Sequence, residues 1–139
     1  MFGEGGSDRR QFKLRGEWVE ILFMARAAEH GLRVIKPWGD SSRYDFVVET
    51  GGRFLRVQVK STSFRKSKFY VCSMVRFGQK CYTSDEVDFF ALYVIPVDTW
   101  YIVPFRAAPK RTKTISLSPH NSLSKHACFR EAWDLLRAE

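Results

Sequence analysis

The chain has 139 residues, of which 45% are apolar and 15% aromatic, and this composition excludes a disordered protein and suits one compact domain. We expect residues 1–11 to form a flexible, glycine-rich arm and residues 12–139 to form the single domain. No apolar run approaches the roughly 20 residues needed to span a bilayer, so no membrane partner is expected. Three cysteines without paired spacing, and a start without an apolar leader, indicate reduced thiols in the cytoplasm.

The net charge of +8 is concentrated in one quarter of the chain. Between Thr50 and Ser84 there are eight basic residues and no acidic one, whereas the other residues carry 15 basic and 15 acidic side chains. A block of this kind is typical of a surface that binds a polyanion such as nucleic acid. A solvated basic face that only favours solubility is an equally open interpretation of the charge alone.

The hydrophobic pattern predicts an α/β protein with one mixed β-sheet flanked by helices. Apolar residues recur three and four positions apart over residues 12–30, which predicts a helix that Gly31 ends. The same spacing predicts a second helix over residues 125–137. The predicted strands, in chain order, cover residues 33–36, 44–49, 54–61, 69–74, 88–94 and 100–103, followed by a short segment at 115–117.

A β-hairpin is predicted between residues 44 and 61. Gly51 and Gly52 stand between two alternating runs, and a glycine pair in this position indicates a two-residue turn. The numbers of paired residues then sum to 103, as for Phe46 opposite Val57, and one side of the hairpin becomes apolar. This register is favoured, because a slip of one residue would set apolar groups against polar ones along the whole hairpin.

The same register brings a carboxylate, an amide and a lysine together on the polar side of the hairpin. Asp45 lies across from Gln58, with Cβ atoms about 4.5–5.5 Å apart, and Lys60 follows on the same face. Two oxygen ligands suit a hard cation such as Mg²⁺ or Mn²⁺, and a lysine beside them suits phosphodiester hydrolysis. An exposed polar sheet face is the competing interpretation, because such mixed residues are common in antiparallel sheets.

The first predicted helix offers further acids. Glu17 and Glu20 are three residues apart and therefore share one helical face. A carboxylate from this face could complete a metal shell around Asp45, or both glutamates could belong to a solvated acidic surface.

Other chemistries have weaker signals. His120, His126 and Cys128 lie close in sequence and could bind zinc, but no second pair at ligand spacing supports such a site. No glycine-rich phosphate loop is present, so no nucleotide cofactor is expected. Serine hydrolysis is not indicated, because no Gly-x-Ser-x-Gly elbow occurs.

The joint spacing of several motifs resembles the PD-(D/E)xK nuclease superfamily, and within it the group I intron-associated homing endonucleases. The resemblance covers about residues 13–105, and its specific part lies in the first 60 residues. The matching segments are Gly16-Glu17-x-x-Glu20, Gly31-x-x-Val34-x-x-Pro37-x-Gly39-Asp40-x-x-Arg43-Tyr44-Asp45, Gly51-Gly52, Arg56-Val57-Gln58-Val59-Lys60, Asp88-Phe89-Phe90-Ala91-x-Tyr93 and Tyr101-x-Val103-Pro104.

The resemblance implies a restriction-endonuclease-like core and a metal-dependent DNA endonuclease, site-specific in the manner of a homing enzyme. It implies that Glu20, Asp45 and Gln58 bind Mg²⁺ or Mn²⁺ and that Lys60 is the catalytic lysine. Glu17 also matches a family position, with less weight. Basic residues expected to hold the phosphates of double-stranded DNA are Arg43, Arg65, Lys66 and Lys68, with weaker candidates Arg76 and Lys80.

The sequence departs from the superfamily pattern at two positions. Tyr44 replaces the proline that names the superfamily, and Gln58 replaces an acid, although the intron-associated branch is similar to this sequence at both. The neutral amide of Gln58 removes one negative charge from the predicted metal shell, so metal affinity is expected to depend more on Asp45 and Glu20.

Cutting both DNA strands needs two active sites, so we expect a homodimer or homotetramer, associated with the nucleoid in the cytoplasm. Two other functions remain open at this point. One is a catalytically silent DNA-binding module on the same scaffold, which the neutral Gln58 favours. The other is a resolvase of branched DNA such as Holliday junctions.

Overall fold

A computed structural model of the chain describes residues 9–76 and 78–137. Helix α1 spans Arg9–Glu29, so the last three residues of the predicted arm are helical, whereas residues 1–8 lie outside the described ranges. Gly31 follows with a φ of +74°, a left-handed conformation that ends helices without steric cost. Within the two described ranges, no helix has the length and apolar character needed to cross a bilayer.

A five-stranded mixed sheet forms the centre of the molecule, which confirms the predicted fold class. Its strands are β1 Arg33–Ile35, β2 Phe46–Thr50, β3 Arg53–Thr62, β6 Phe89–Val94 and β7 Thr99–Pro104, and they lie in the order β1-β2-β3-β6-β7. Strands β3 and β6 pair in parallel, and the other neighbours pair antiparallel. A parallel pair needs a crossover connection, and here the chain between β3 and β6 forms most of a second sheet.

The hairpin between β2 and β3 has the register that the sequence predicts. Phe46 pairs with Val57 and Thr50 pairs with Arg53, so the paired numbers sum to 103 throughout. Gly51 and Gly52 both have positive φ, +54° and +78°, as a two-residue hairpin turn requires.

The apolar side of β3 packs beneath helix α1. Leu55, Val57 and Val59 are buried in one cluster with residues of α1 such as Phe23, whose ring stacks on Phe46 at a centroid distance of 5.2 Å. Intervening residues of β3 are half-buried on the other face of the sheet. Alternation along the strand therefore separates the core from the polar residues that form the candidate site.

A smaller antiparallel sheet covers the opposite face of the central sheet. It consists of β4 Arg65–Lys66, β5 Phe69–Ser73 and β8 Thr114–Leu117, in the order β4-β5-β8. Cys72, Ile115 and Leu117 from this sheet are buried with Phe90 and Leu92 of β6. The short strand β4 lies between the predicted strands 54–61 and 69–74, where the sequence predicts no strand.

The predicted C-terminal helix is wrong. Residues 125–137 contain two short 3₁₀ turns, Ala127–Phe129 and Trp133–Leu136. Glu131 lies between them with a φ of +50°, a left-handed conformation that interrupts any continuous helix. The carboxylate of Glu131 accepts hydrogen bonds from the Trp100 backbone N–H at 2.6 Å and from the Trp133 indole N–H at 2.9 Å. These tertiary contacts hold the segment against β7.

Candidate active site

Asp45 stands immediately before β2 and is attached to β3 by two hydrogen bonds. Its backbone N–H donates to the Val57 carbonyl at 3.0 Å, and its Oδ2 accepts from the Val59 N–H at 2.9 Å. Burial raises the pKa of Asp45 to about 6, and the negative charge of Glu20 adds to this effect. The hydrogen bond from Val59 and the positive charges of Lys60 and Lys36 oppose it. The site therefore holds a carboxylate in a place where its charge is only partly compensated.

Glu20 extends from α1 into the same cleft as Asp45. Its Oε1 lies 3.2 Å from the Nζ of Lys36, which follows β1. The ammonium of Lys36 also lies 4.9 Å from the ring centroid of Phe46. Helix, first strand and hairpin thus meet at one cleft, and its lining residues are Glu17, Glu20, Lys36, Pro37, Gly39, Asp40, Ser42, Tyr44 and Asp45.

Lys60 lies on the polar face of β3 and is held in place by the segment that follows β5 of the second sheet. Its Nζ donates to the Val75 carbonyl at 2.7 Å and lies 5.4 Å from the ring centroid of Tyr82. Burial lowers the pKa of Lys60, and the negative charge of Asp45 acts in the opposite direction. Burial likewise raises the pKa of Tyr82 to about 12, so its hydroxyl stays protonated at neutral pH.

Gln58 lies between the two residues of β3 that hydrogen-bond to Asp45. The pairing of β2 with β3 ends at Phe46 and Val57, and continuing it by one residue puts Gln58 beside Asp45. The side chain of Gln58 is half-buried, and its Nε2 lies 3.5 Å from the Val59 carbonyl, a long contact for a hydrogen bond.

These positions determine what the cluster can do chemically. Glu20, Asp45 and Gln58 supply oxygen atoms of the kind that hard divalent cations prefer, and Lys60 supplies a positive charge close to them. In the two described ranges, no group of three or more His, Cys, Asp or Glu residues is arranged to hold a metal ion. His120, His126 and Cys128 accordingly form no such group, and a cation bound by Glu20 and Asp45 would take further ligands from the amide oxygen of Gln58 or from substrate oxygens.

The basic residues predicted to bind DNA lie in two groups. Arg43 and Arg76 meet at one carboxylate, with Nη1 atoms 3.3 Å and 2.7 Å from the Oε2 of Glu86. The Thr83 backbone and hydroxyl both donate to the other oxygen of Glu86 at 3.1 Å. The members of the second group are exposed on or beside β4, and they are Arg65, Lys66 and Lys68. Lys80 is exposed near the first group, and its carbonyl accepts the N–H of Arg76 at 2.7 Å.

Several residues around the site were not predicted from the sequence. Lys36 pairs with Glu20, the Val75 carbonyl holds Lys60, and Tyr82 lies over the same ammonium. The position of Lys36 directly before Pro37 of the recognised motif was a usable signal. The contacts of Val75 and Tyr82 depend on packing between the two sheets, and no local sequence pattern indicates them.

Comparison with known proteins identifies the family and the fold of the chain. A family model for PD-(D/E)XK endonucleases matches residues 10–136. The solved structure of the bacterial homing endonuclease I-Ssp6803I is 29% identical, with a TM-score of 0.78, over 89% of this chain and 91% of that chain. The Holliday junction resolvase Hjc from Archaeoglobus fulgidus is 19% identical, with a TM-score of 0.48, over 75% of this chain and 84% of that chain. A comparison with curated proteins gives no match. Since the family model covers nearly the whole sequence, the chain belongs to the PD-(D/E)XK endonuclease family.

Proposed function

We propose that the chain is a Mg²⁺-dependent, site-specific DNA endonuclease of the homing type. Its active centre consists of Glu20, Asp45, Gln58 and Lys60, and Mn²⁺ can replace Mg²⁺. The observation that carries the proposal is the convergence of a helix acid, a hairpin acid and a half-buried lysine, with Glu20 and Lys60 both acting on the charge of Asp45. The similarity to a bacterial homing endonuclease over most of both chains supports site-specific cleavage.

The residues of the cleft fit a divalent cation. PD-(D/E)XK nucleases generally use divalent metal ions. In this chain the raised pKa of Asp45, to about 6, reflects a buried carboxylate whose charge lacks sufficient compensation, and a bound cation supplies that compensation. Asp45, Glu20 and the amide oxygen of Gln58 would hold the ion. When bound, the ion lowers the pKa of coordinated water and neutralises charge on the phosphate.

Lys60 has a separate task in this mechanism. Its ammonium is fixed by the Val75 carbonyl, so it needs little rearrangement to face a substrate phosphate. There it stabilises the negative charge that develops on the phosphate oxygens as water attacks phosphorus and the bond to the leaving oxygen breaks. Lys36 keeps Glu20 oriented through their ion pair, and double-strand cleavage requires that two copies of the chain act together.

The test is nicking of supercoiled DNA in the presence of Mg²⁺. We expect wild-type protein to nick the plasmid and EDTA to stop the reaction. Lys60→Met should reduce the rate by roughly 10²–10⁴-fold, because the positive charge at the phosphate is lost. Lys13→Met, which removes an exposed lysine of α1, is the matched control and should retain the wild-type rate. Absence of nicking by wild-type protein, or equal nicking by Lys60→Met, contradicts the proposal.

A second candidate is a DNA-binding module on this scaffold without turnover. The observation that favours it is the neutral amide of Gln58, which leaves Glu20 and Asp45 as the only acids of the proposed active centre. This candidate predicts salt-sensitive DNA binding that does not change on adding Mg²⁺. The same plasmid experiment decides between the two, and including a four-way junction beside the linear duplex tests preference for branched DNA.

A further inference from the structure

Two neighbouring surface depressions lie between Tyr82 and the far edge of the second sheet. The first is mostly apolar: Met74, Phe90, Phe105 and Ala108 line it together with Tyr82, whose ring lies over the Lys60 ammonium, and with Pro109 and Lys110. The second is also lined by Pro109 and Lys110 and extends to Arg111 beside strand β8. Because the two depressions share these two residues, they are adjacent, and we call them together the track.

The outer part of this track is strongly basic. Arg111 and Lys125 are exposed there, and none of the described residues that line it is acidic. His126 also lines it, but burial lowers the pKa of His126, so this side chain is neutral at pH 7. The groups that can face an anion are three cations and three hydroxyls, from Lys110, Arg111, Lys125, Thr112, Thr114 and Ser116.

Hydrogen bonds connect this basic part to the active centre. The Lys113 carbonyl accepts the N–H of Met74 at 2.9 Å, and the next residue, Val75, accepts the hydrogen bond from Lys60 at 2.7 Å. Lys110 is fixed by donating to the Phe105 carbonyl at 2.6 Å. The loop that carries Arg111 is therefore hydrogen-bonded to Met74, the residue directly before the one that holds the active-site lysine.

We propose that the basic part of the track, from Lys110 to Lys125, binds the sugar–phosphate backbone of DNA on one side of the phosphate that is cut. This inference rests on the proposed function and assigns the flanking substrate contacts of that site. Cations and hydroxyls facing a row of phosphates position a duplex without reading its sequence.

The salt dependence of DNA binding tests this inference. The test variant is Arg111→Gln combined with Lys125→Gln. The matched control is Arg33→Gln combined with Arg53→Gln, which removes the same charge from exposed residues near the hairpin turn. Binding to a labelled duplex of about 30 base pairs is measured in EDTA, between about 50 and 200 mM salt, and melting curves verify that both variants are folded.

We expect the test variant to reduce the slope of log K against log salt concentration by about 1.8, since each lost phosphate contact contributes about 0.9. The control should change the slope by less than about 0.5. Equal slopes for the two variants, no DNA binding by wild-type protein, or a change in oligomeric state confined to the test variant would each overturn the inference. A cleavage assay on the same proteins separates the two proposals. A slope difference without DNA cleavage supports DNA binding by the track and contradicts the endonuclease proposal. Cleavage with equal slopes supports the endonuclease and contradicts DNA binding by the track.

Discussion

Asp88 and Asp45 both accept hydrogen bonds from strand β3, but their pKa values are shifted in opposite directions. Asp88 accepts hydrogen bonds from the Arg56 backbone N–H at 2.8 Å and from its Nε and Nη2 atoms at 2.9 Å. The hydrogen bonds of Arg56 lower the pKa of Asp88, whereas burial raises the pKa of Asp45 to about 6. The side chain of Arg56 also binds the carbonyls of Ser84 and Asp85, so its charge is fully engaged with the protein.

Under the proposed function, this difference separates a structural carboxylate, Asp88, from a metal-binding one, Asp45. The charge of Asp88 is matched within the protein, and its bonds attach β3 to the start of β6. Asp45 receives one backbone N–H and lies near Glu20, a second acid. Perturbed acids of the latter kind are concentrated at sites where a ligand supplies the missing charge. Both residues belong to recognised motifs, so only the three-dimensional environment distinguishes them.

The largest expected effect is on cleavage. Asp45→Asn should reduce the rate of DNA nicking by roughly 10³-fold, because an amide cannot replace the charge that holds the cation. Asp88→Asn should leave the rate within about tenfold of wild type, since Asp88 does not line the cleft. The measurement is single-turnover nicking of plasmid DNA at saturating Mg²⁺. Comparable losses of nicking rate in both variants would mean that an ion pair within the protein, as Asp88 has with Arg56, does not distinguish a structural aspartate from a metal-binding one.

The hairpin could be predicted from the sequence because local rules suffice there. Gly51 and Gly52 fix the turn, and alternation of apolar residues leaves a single register, so the position of Asp45 relative to Lys60 followed without a structure. Glu20 was assigned through the family resemblance. Its approach to Asp45 depends on how α1 packs, which helix periodicity alone does not determine.

The C-terminal segment could not be predicted in the same way. Trp133 and Leu136 are buried, as a helical pattern suggests, but Glu131 adopts a left-handed conformation because it binds Trp100 and Trp133. These partners include a residue 31 positions away, and such long-range contacts override local propensity. The Val75 carbonyl and Tyr82 were missed for the same reason, since they reach Lys60 only after the two sheets pack.

The second-largest expected effect of Asp45→Asn is on the free energy of unfolding of the metal-free protein. Asp45 has a folded pKa of about 6 against an ordinary value of 3.8, so the folded state binds the proton more tightly. Its contribution is most favourable below pH 3.8 and is lost as pH rises through 6. At about 1.4 kcal/mol for each pKa unit, wild type should lose about 2 kcal/mol relative to Asp45→Asn between pH 4 and pH 7, because part of the contribution is already lost at pH 4.

Asp88 should give the opposite pH dependence. Its folded pKa lies below 3.8, so its contribution to stability is present above pH 3.8 and is lost as pH falls through the lower, folded value.

Urea unfolding in EDTA at pH 4 and pH 7, for wild type and Asp45→Asn, measures the Asp45 contribution directly. If the difference in free energy of unfolding between these two proteins is the same at pH 4 and pH 7, the pKa of Asp45 is not raised by its site.

The smallest expected effect concerns Gln58, which stands where the family usually has an acid. Gln58→Glu adds a carboxylate beside Asp45 and Glu20, and it should tighten Mg²⁺ binding by about tenfold, or about 1.4 kcal/mol. The same change should destabilise the metal-free protein at pH 7, because three acids then repel one another in a partly buried place. Calorimetric titration with Mg²⁺ measures the first effect, and urea unfolding in EDTA measures the second.

Gln11→Glu, on the exposed surface of α1, adds the same charge away from the cleft and should change neither quantity. If Gln58→Glu also leaves Mg²⁺ affinity unchanged, Gln58 is not a ligand and the cation depends on Asp45 and Glu20 alone. If Mg²⁺ affinity rises as expected, the cation supplies the positive charge that Asp45 lacks and that Asp88 receives from Arg56. The neutral side chain of Gln58 then limits how tightly the cation is bound.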